Sequence, residues 1–158
     1  PTHKVVEEGF KNWRGMIDSG GRRIMRSIPI DQNTIQFLDT DDLENLKKSK
    51  IIQSVMPSFE PECEMTYTNL GLFRAYIETY LRNHPKIHSQ MTLSIRLLEP
   101  SPTGLPLQIY VFTNDTEWAN YEKIQAGIFE HLLAIMPLFK LRLFQQPSGF
   151  DLKKFLNP

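Results

Sequence analysis

The sequence predicts an α+β domain whose elements run β-α-β-β-α-β, with the strands in one antiparallel sheet and the helices on one of its faces. Two stretches carry apolar residues at helical spacing, several short stretches alternate apolar and polar residues, and Pro/Gly-bearing turns separate them. At 158 residues, 41% hydrophobic and 23% charged, the chain fits one globular domain with a fragment of a second.

The first strand is read from Ile24 to Ile30, where Ile24, Arg26, Ile28 and Ile30 alternate with Met25, Ser27 and Pro29. Pro29 cannot donate to a ladder, which places this strand at an edge or ends it there. Residues 31–66 then lose regular periodicity and read as a surface insertion. Within them "TDDLENLKKSK" predicts a short helix, with acids in its first turn and lysines in its last, complementing the helix dipole. In "TNLGLFRAYIETYLRNHP", Leu72, Phe73, Tyr76, Ile77, Tyr80 and Leu81 form one apolar stripe; Thr68 or Asn69 caps its start and Pro85 stops it.

Residues 91–113 predict a hairpin. Met91, Leu93, Ile95 and Leu97 alternate with polar residues, "SPTG" supplies the turn, and Leu107, Ile109 and Val111 alternate with Gln108, Tyr110 and Phe112. A second helix is expected from about Thr116, with Asn114 and Glu117 spaced as a capping box and Trp118, Tyr121, Ile128, Leu132 and Ile135 facing inward, until Pro137 ends it. A last strand is expected over Leu141 to Gln145. This order is the split arrangement of ferredoxin-like domains. It turns Leu93, Ile95, Leu107, Ile109, Val111, Leu141 and Leu143 toward the helices. Met25, Tyr110, Phe112 and Phe144 then fall on the open face, a set of apolar side chains that suggests a partner.

Charge and chemistry exclude more than they assign. Eighteen Lys and Arg balance eighteen Asp and Glu, so the chain lacks the basic excess of a dedicated nucleic-acid binder. The distribution is uneven: residues 1–30 carry six basic and three acidic side chains, 31–66 three and eight, and 67–158 nine and seven, so an acidic insert separates two mildly basic parts. "SGGRR" lacks the GK[ST] ending and the following helix of a phosphate loop, and its glycines suit a turn into the strand. Arg22 and Arg26 point to one side of that strand and Arg23 to the other. His84 and His88 are four apart but separated by Pro85, and His3 and His131 have no ligand partners nearby in sequence, so no metal or cofactor is expected. "DTDDLENL" lacks the Gly and Glu of a calcium loop. Glu117, Glu122 and Glu130 lie on a polar helix side, Cys63 stands alone, and no Ser, Cys or Lys sits in a nucleophile motif. The expectation is a protein that is not an enzyme. The longest apolar run, Leu132 to Phe139, is far short of a membrane span. "THKVV" reads as a strand already under way, so a piece of a longer protein is expected.

"PTHKVVEEGFKNWRGM…GGRR", "NLGLFRAYIETYLRNHP", "MTLSIRLLEPSPTGLPLQIYVFTN" and "IQAGIFEHLLAIMPLFKLRLFQQPSG" together resemble the cytoplasmic end of the small-conductance (MscS-type) mechanosensitive channel family, most closely its miniconductance branch. The resemblance implies that residues 1–21 end a middle β-domain and form a joint, that 22–146 form the ferredoxin-like cytoplasmic domain with 31–66 inserted, and that 147–158 are a C-terminal tail. It also implies a homo-oligomer, a sevenfold ring beneath a pore in a bacterial inner membrane, whose cytoplasmic domains enclose a vestibule for ions and small osmolytes. Membrane contact would come from an upstream part. Trp13, Arg22 and Arg23 at the joint, and Tyr110, Phe112 and Phe144 on the sheet, are the expected domain or subunit interface residues. Two other classes are open: a free-standing oligomeric regulatory domain that binds a small ligand in a well-formed pocket, and an RNA-stacking sheet, which the neutral charge opposes.

Overall fold

The computed structural model describes residues 20–55 and 67–146. Trp13, Cys63, the expected β-domain end and the tail 147–158 lie outside the described residues. Gly20 turns the chain with φ +65°, a left-handed conformation that favours glycine, whereas Gly21 needs no positive φ. Strand β1, Arg22–Ile30, follows directly.

Three strands form one antiparallel sheet in the order β1-β3-β2, where β2 is Ser94–Leu97 and β3 is Leu105–Thr113. β1 pairs with β3 from Arg22↔Thr113 to Ile30↔Leu105, which sets Pro29 opposite Pro106. Both of these prolines turn their carbonyls outward: Pro29 accepts from the Phe144 amide (2.8 Å) and Pro106 from the Leu98 amide (3.0 Å). They therefore form a non-hydrogen-bonded pair, and no bond between β1 and β3 is lost to their missing N–H groups.

The hairpin is shorter than expected on its first side. Ile87 bridges Thr113 and Ser94 pairs with Tyr110, so seven steps along one chain meet three along the other. The four extra residues loop out, and Met91 to Leu93 are not strand. The fourth strand expected over Leu141 to Gln145 is reduced to a single antiparallel bridge, Ile30↔Leu143. Its flanking bonds, Asp31 N–H to Arg142 O (2.9 Å) and Phe144 N–H to Pro29 O (2.8 Å), lay it beside the end of β1.

The insertion is folded against the core. Helix α1, Thr40–Lys48, is capped by Asp39, whose carboxylate accepts from the Asp42 amide at 2.8 Å. A second short helix, α2, Lys50–Val55, was not expected from the sequence. Leu38, Leu46 and Ile52 are buried, so this segment is more than a surface excursion. Asn69 holds its approach: the buried side chain accepts from Gln36 N–H (3.0 Å) and donates to Thr34 O (2.8 Å).

Helix α3, Asn69–Arg82, is capped by the Thr68 hydroxyl and buries Leu72, Phe73, Tyr76, Ile77 and Leu81 as its spacing requires. Helix α4, Trp118–Ile135, begins two residues later than expected. The expected capping box does not form. Glu117 itself caps, accepting from Ala119 and Asn120 amides, while the Asn114 side chain donates to Pro85 O. Trp118, expected inward, is 66% exposed because it occupies the first turn, beyond the edge of the sheet-facing stripe. Tyr121, Ile128, Leu132 and Ile135 are buried as expected. A 3-10 turn, Met136–Phe139, closes α4 and inserts Phe139 against Phe73 and Tyr76, at 5.2 and 5.6 Å between ring centroids. The inward residues of all three strands complete this core.

Candidate interaction face

The alternation that buries one side of the sheet fixes what the other side displays. Its outward residues stand in rows set by the pairing register. Arg23 lies opposite Phe112, Met25 opposite Tyr110, and Ser27 opposite Gln108; across β3, Ser94 lies opposite Tyr110 and Arg96 opposite Gln108. The Tyr110 and Phe112 rings meet edge-on, 5.5 Å apart at 80°. The Arg23 guanidinium sits 5.9 Å from the Tyr110 ring centroid. Arg96 brings Nε and Nη2 to the Gln108 carbonyl oxygen at 2.8 and 2.6 Å.

These contacts order the face without covering it. Met25 is 48% exposed at its centre, and Tyr110 and Phe112 are half-buried beside it. The rows carry two arginines and no carboxylate. An ordered aromatic patch with a cationic border can bury against an apolar surface that supplies acceptors at its edge.

The sequence-predicted residues do not all converge here. Arg23, Tyr110 and Phe112 share the face. Phe144 stands at the other end, over the Ser101–Gly104 turn, in the row of Pro29 and Pro106. Four residue steps along β1 separate that row from Met25, about 13 Å along the strand. Arg22 belongs to the opposite side of the sheet, with its guanidinium 4.2 Å above the Tyr121 ring. Arg26 repeats the arrangement 4.8 Å above Phe129, so the cluster divides between faces as strand geometry requires. The Tyr121 hydroxyl, 3.0 Å from Arg23 O, ties the start of β1 to α4, and burial pushes its pKa up. Met25 is the member that the strand pattern placed on this face but that motif reading left out of the interface set.

No group of three or more His, Cys, Asp or Glu is placed to hold a metal among the described residues. No helix among them is long and apolar enough to cross a membrane. A groove of about 1050 Å³ runs between the loop after β1 and the end of α4, lined by Thr34, Gln36, Leu133, Lys140 and Arg142 among others.

Residues 66–142 match the family model described as "Mechanosensitive ion channel MscS, C-terminal". Over these residues the chain is similar to an MscS-type C-terminal domain. The match runs from the residue before Tyr67 through α3, the β2–β3 hairpin and α4 to Arg142. It stops short of β1, which supplies Arg23 and Met25 to the face, while Tyr110, Phe112 and Arg96 lie within it. That family is a channel domain rather than an enzyme family.

Proposed function

We propose that this domain is a wall segment of the cytoplasmic vestibule of a mechanosensitive channel, which releases ions and small osmolytes when the cell swells. The observation that carries the reading is the MscS C-terminal match over 66–142, joined to an open, ordered sheet face that includes Arg23, Met25, Tyr110 and Phe112. A wall made of separate copies needs such faces, because each copy must meet its neighbours in a closed ring.

The detailed architecture fits this role. Residues 141–146 run beside β1, β1 beside β3, and β3 beside β2, an order that supports a ferredoxin-like domain over 22–146 with 31–66 inserted. Residues 1–21 would end the middle β-domain and form the joint, with Trp13 as its anchor, and 147–158 would form the tail. Arg22, its guanidinium 4.2 Å from the Tyr121 ring centroid, would offer its N–H groups to acceptors at the domain border. The ring is a homo-heptamer on the cytoplasmic side of a bacterial inner membrane, attached through upstream segments, with no cofactor.

Paired-cysteine cross-linking in the full-length protein tests this. In a Cys63→Ser background, Met25→Cys combined in turn with single cysteines on α1, α3 and α4 should give a ladder of covalent multimers ending at seven in membranes. Channels so locked should adapt abnormally under sustained tension. Monomers alone in every pairing would remove this face from the assembly.

A further inference from the structure

Helices α3 and α4 meet along a column of four rings. Tyr76, Tyr80 and His84 follow one another at four-residue spacing along α3 and its C-terminal end, and His131 of α4 packs among them. The His131 imidazole stacks on Tyr80, 4.4 Å between centroids and 17° between planes. Its Nε2 lies 2.7 Å from the Tyr76 hydroxyl. Tyr80 meets His84 at 5.6 Å and 69°.

The hydrogen bonding of this column depends on its proton count. Tyr76 is fully buried, so its hydroxyl hydrogen needs an acceptor, and a neutral His131 supplies one at Nε2. A second proton on that ring must go to Nε2, which then donates to the tyrosine oxygen and strands the hydroxyl hydrogen. His84 is placed in the same way. Its Nδ1 already accepts from the Lys86 amide at 3.2 Å, so an added proton lands on the nitrogen that holds the turn after α3.

Among the described residues the surroundings supply no compensating charge. Burial pushes the Tyr76 hydroxyl up to about 12, with Tyr80 adding to the shift, and burial raises Tyr80 as well. Both tyrosines therefore stay neutral. On α3, Glu78 is engaged by Arg82; on α4, Glu130 is exposed. Phe139 packs on Tyr76 from the 3-10 turn, and the neighbouring Lys140 is held by Asp42. Burial lowers the pKa of both imidazoles, and for His84 the charge of His131 lowers it further.

We infer that the Tyr76–Tyr80–His84–His131 column is a proton-operated latch between α3 and α4, closed while both imidazoles are neutral and loosened when they charge. The inference rests on the helix seam and is independent of the channel reading. The direction follows from linkage. A histidine whose folded pKa lies below its ordinary 6.5 contributes stability that is complete above that value and is lost as pH falls through the folded pKa. The column thus responds to acidification, and the element it releases is the contact between the two long helices.

Histidine Cε1–H resonances of the native chain, followed from pH 8 to pH 5, report the latch directly, and urea unfolding over the same range reports its consequence. His131 and His84 should titrate below the ordinary imidazole value. The unfolding constant of the wild type should rise, relative to the His84→Gln/His131→Gln double variant, by roughly fivefold or more on acidification. His88→Gln should follow the wild type. Parallel loss of stability in the wild type and the double variant would overturn the inference. So would titration of both rings at or above the ordinary value, an outcome read on the native protein even where the double variant does not fold.

Discussion

The Asp42 carboxylate of α1 forms an ion pair with Lys140, the residue that closes the turn after α4. The two partners are unequal. The Asp42 side chain is 10% exposed and the Lys140 side chain 51%, so the pair joins a nearly buried anion to a cation that still reaches solvent. The helix of the insertion is thereby fastened to the far end of the domain, alongside the packing of Leu46 and Ile52.

This inequality predicts an ordered pair of effects. Lys140→Met leaves Asp42 desolvated without its cation, whereas Asp42→Asn leaves a lysine that water can solvate. Lys140→Met should therefore lower the urea midpoint more than Asp42→Asn. The bond to Asp42 raises the Lys140 pKa, so the stability the pair contributes is complete below the ordinary lysine value and is lost as pH rises through the raised one. Equal losses in the two variants would show that burial of Asp42 does not govern the contact.

Gly104 gives a sharper test of backbone geometry. Its φ is +96°, and a Cβ there would lie 2.7 Å from Ile30 O and 2.8 Å from Phe144 Cβ. The obstruction includes backbone, which cannot rotate aside. Gly104→Ala should destabilise the domain by about 1–3 kcal/mol and shift the Phe144 resonances. Gly21→Ala meets chiefly the flexible end of Met91 and should cost less.

Asn69 is the third test. Its amide accepts from Gln36 N–H and donates to Thr34 O, and its own N–H donates to Gln36 O at 3.0 Å. Asn69→Ala strands three backbone groups, the Gln36 and Leu70 amides and the Thr34 carbonyl, and should cost about 1–3 kcal/mol. Asn69→Asp keeps the acceptor but loses the donor to Thr34 O, so it rescues only part of the loss. Amide exchange of Gln36 separates the two, since only the alanine variant removes its acceptor.

Much of this architecture was legible because periodicity records which side chains are inside. The stripe from Leu72 to Leu81 and the alternation from Leu107 to Val111 both became core. Alternation says less about backbone pairing. Leu141 is buried and Leu143 half-buried, yet residues 141–145 contribute only one bridge, since Lys140, at φ 57°, redirects the chain just before them. Helix α2 escaped notice because six residues are too few to show a 3.6 period, although its Ile52 is 2% exposed. Trp118 was misplaced because the helix begins at it and leaves no preceding turn to hold it inward. The interaction face was partly readable from the outward strand positions, but the register that sets Met25 beside Tyr110 requires the paired strands. The ring column between α3 and α4 was equally hidden, because His131 meets Tyr76 and Tyr80 across 55 and 51 residues of chain.

The exposed centre of that face leads to the last prediction. Met25 is 48% exposed, so replacing it by glutamate removes little buried area from the single domain and should leave its urea midpoint nearly unchanged. In an assembled wall the same carboxylate would be buried against a neighbour's apolar surface, where desolvation of an unpaired charge is severe. Met25→Glu should therefore yield a folded domain that fails to assemble in the full-length protein, read as a loss of the high-mass species in detergent. Tyr110→Ala should weaken assembly in the same direction while also loosening the Arg23 and Phe112 contacts within the domain. A Met25→Glu protein that assembles normally would show that copies meet elsewhere and that this face looks into solvent.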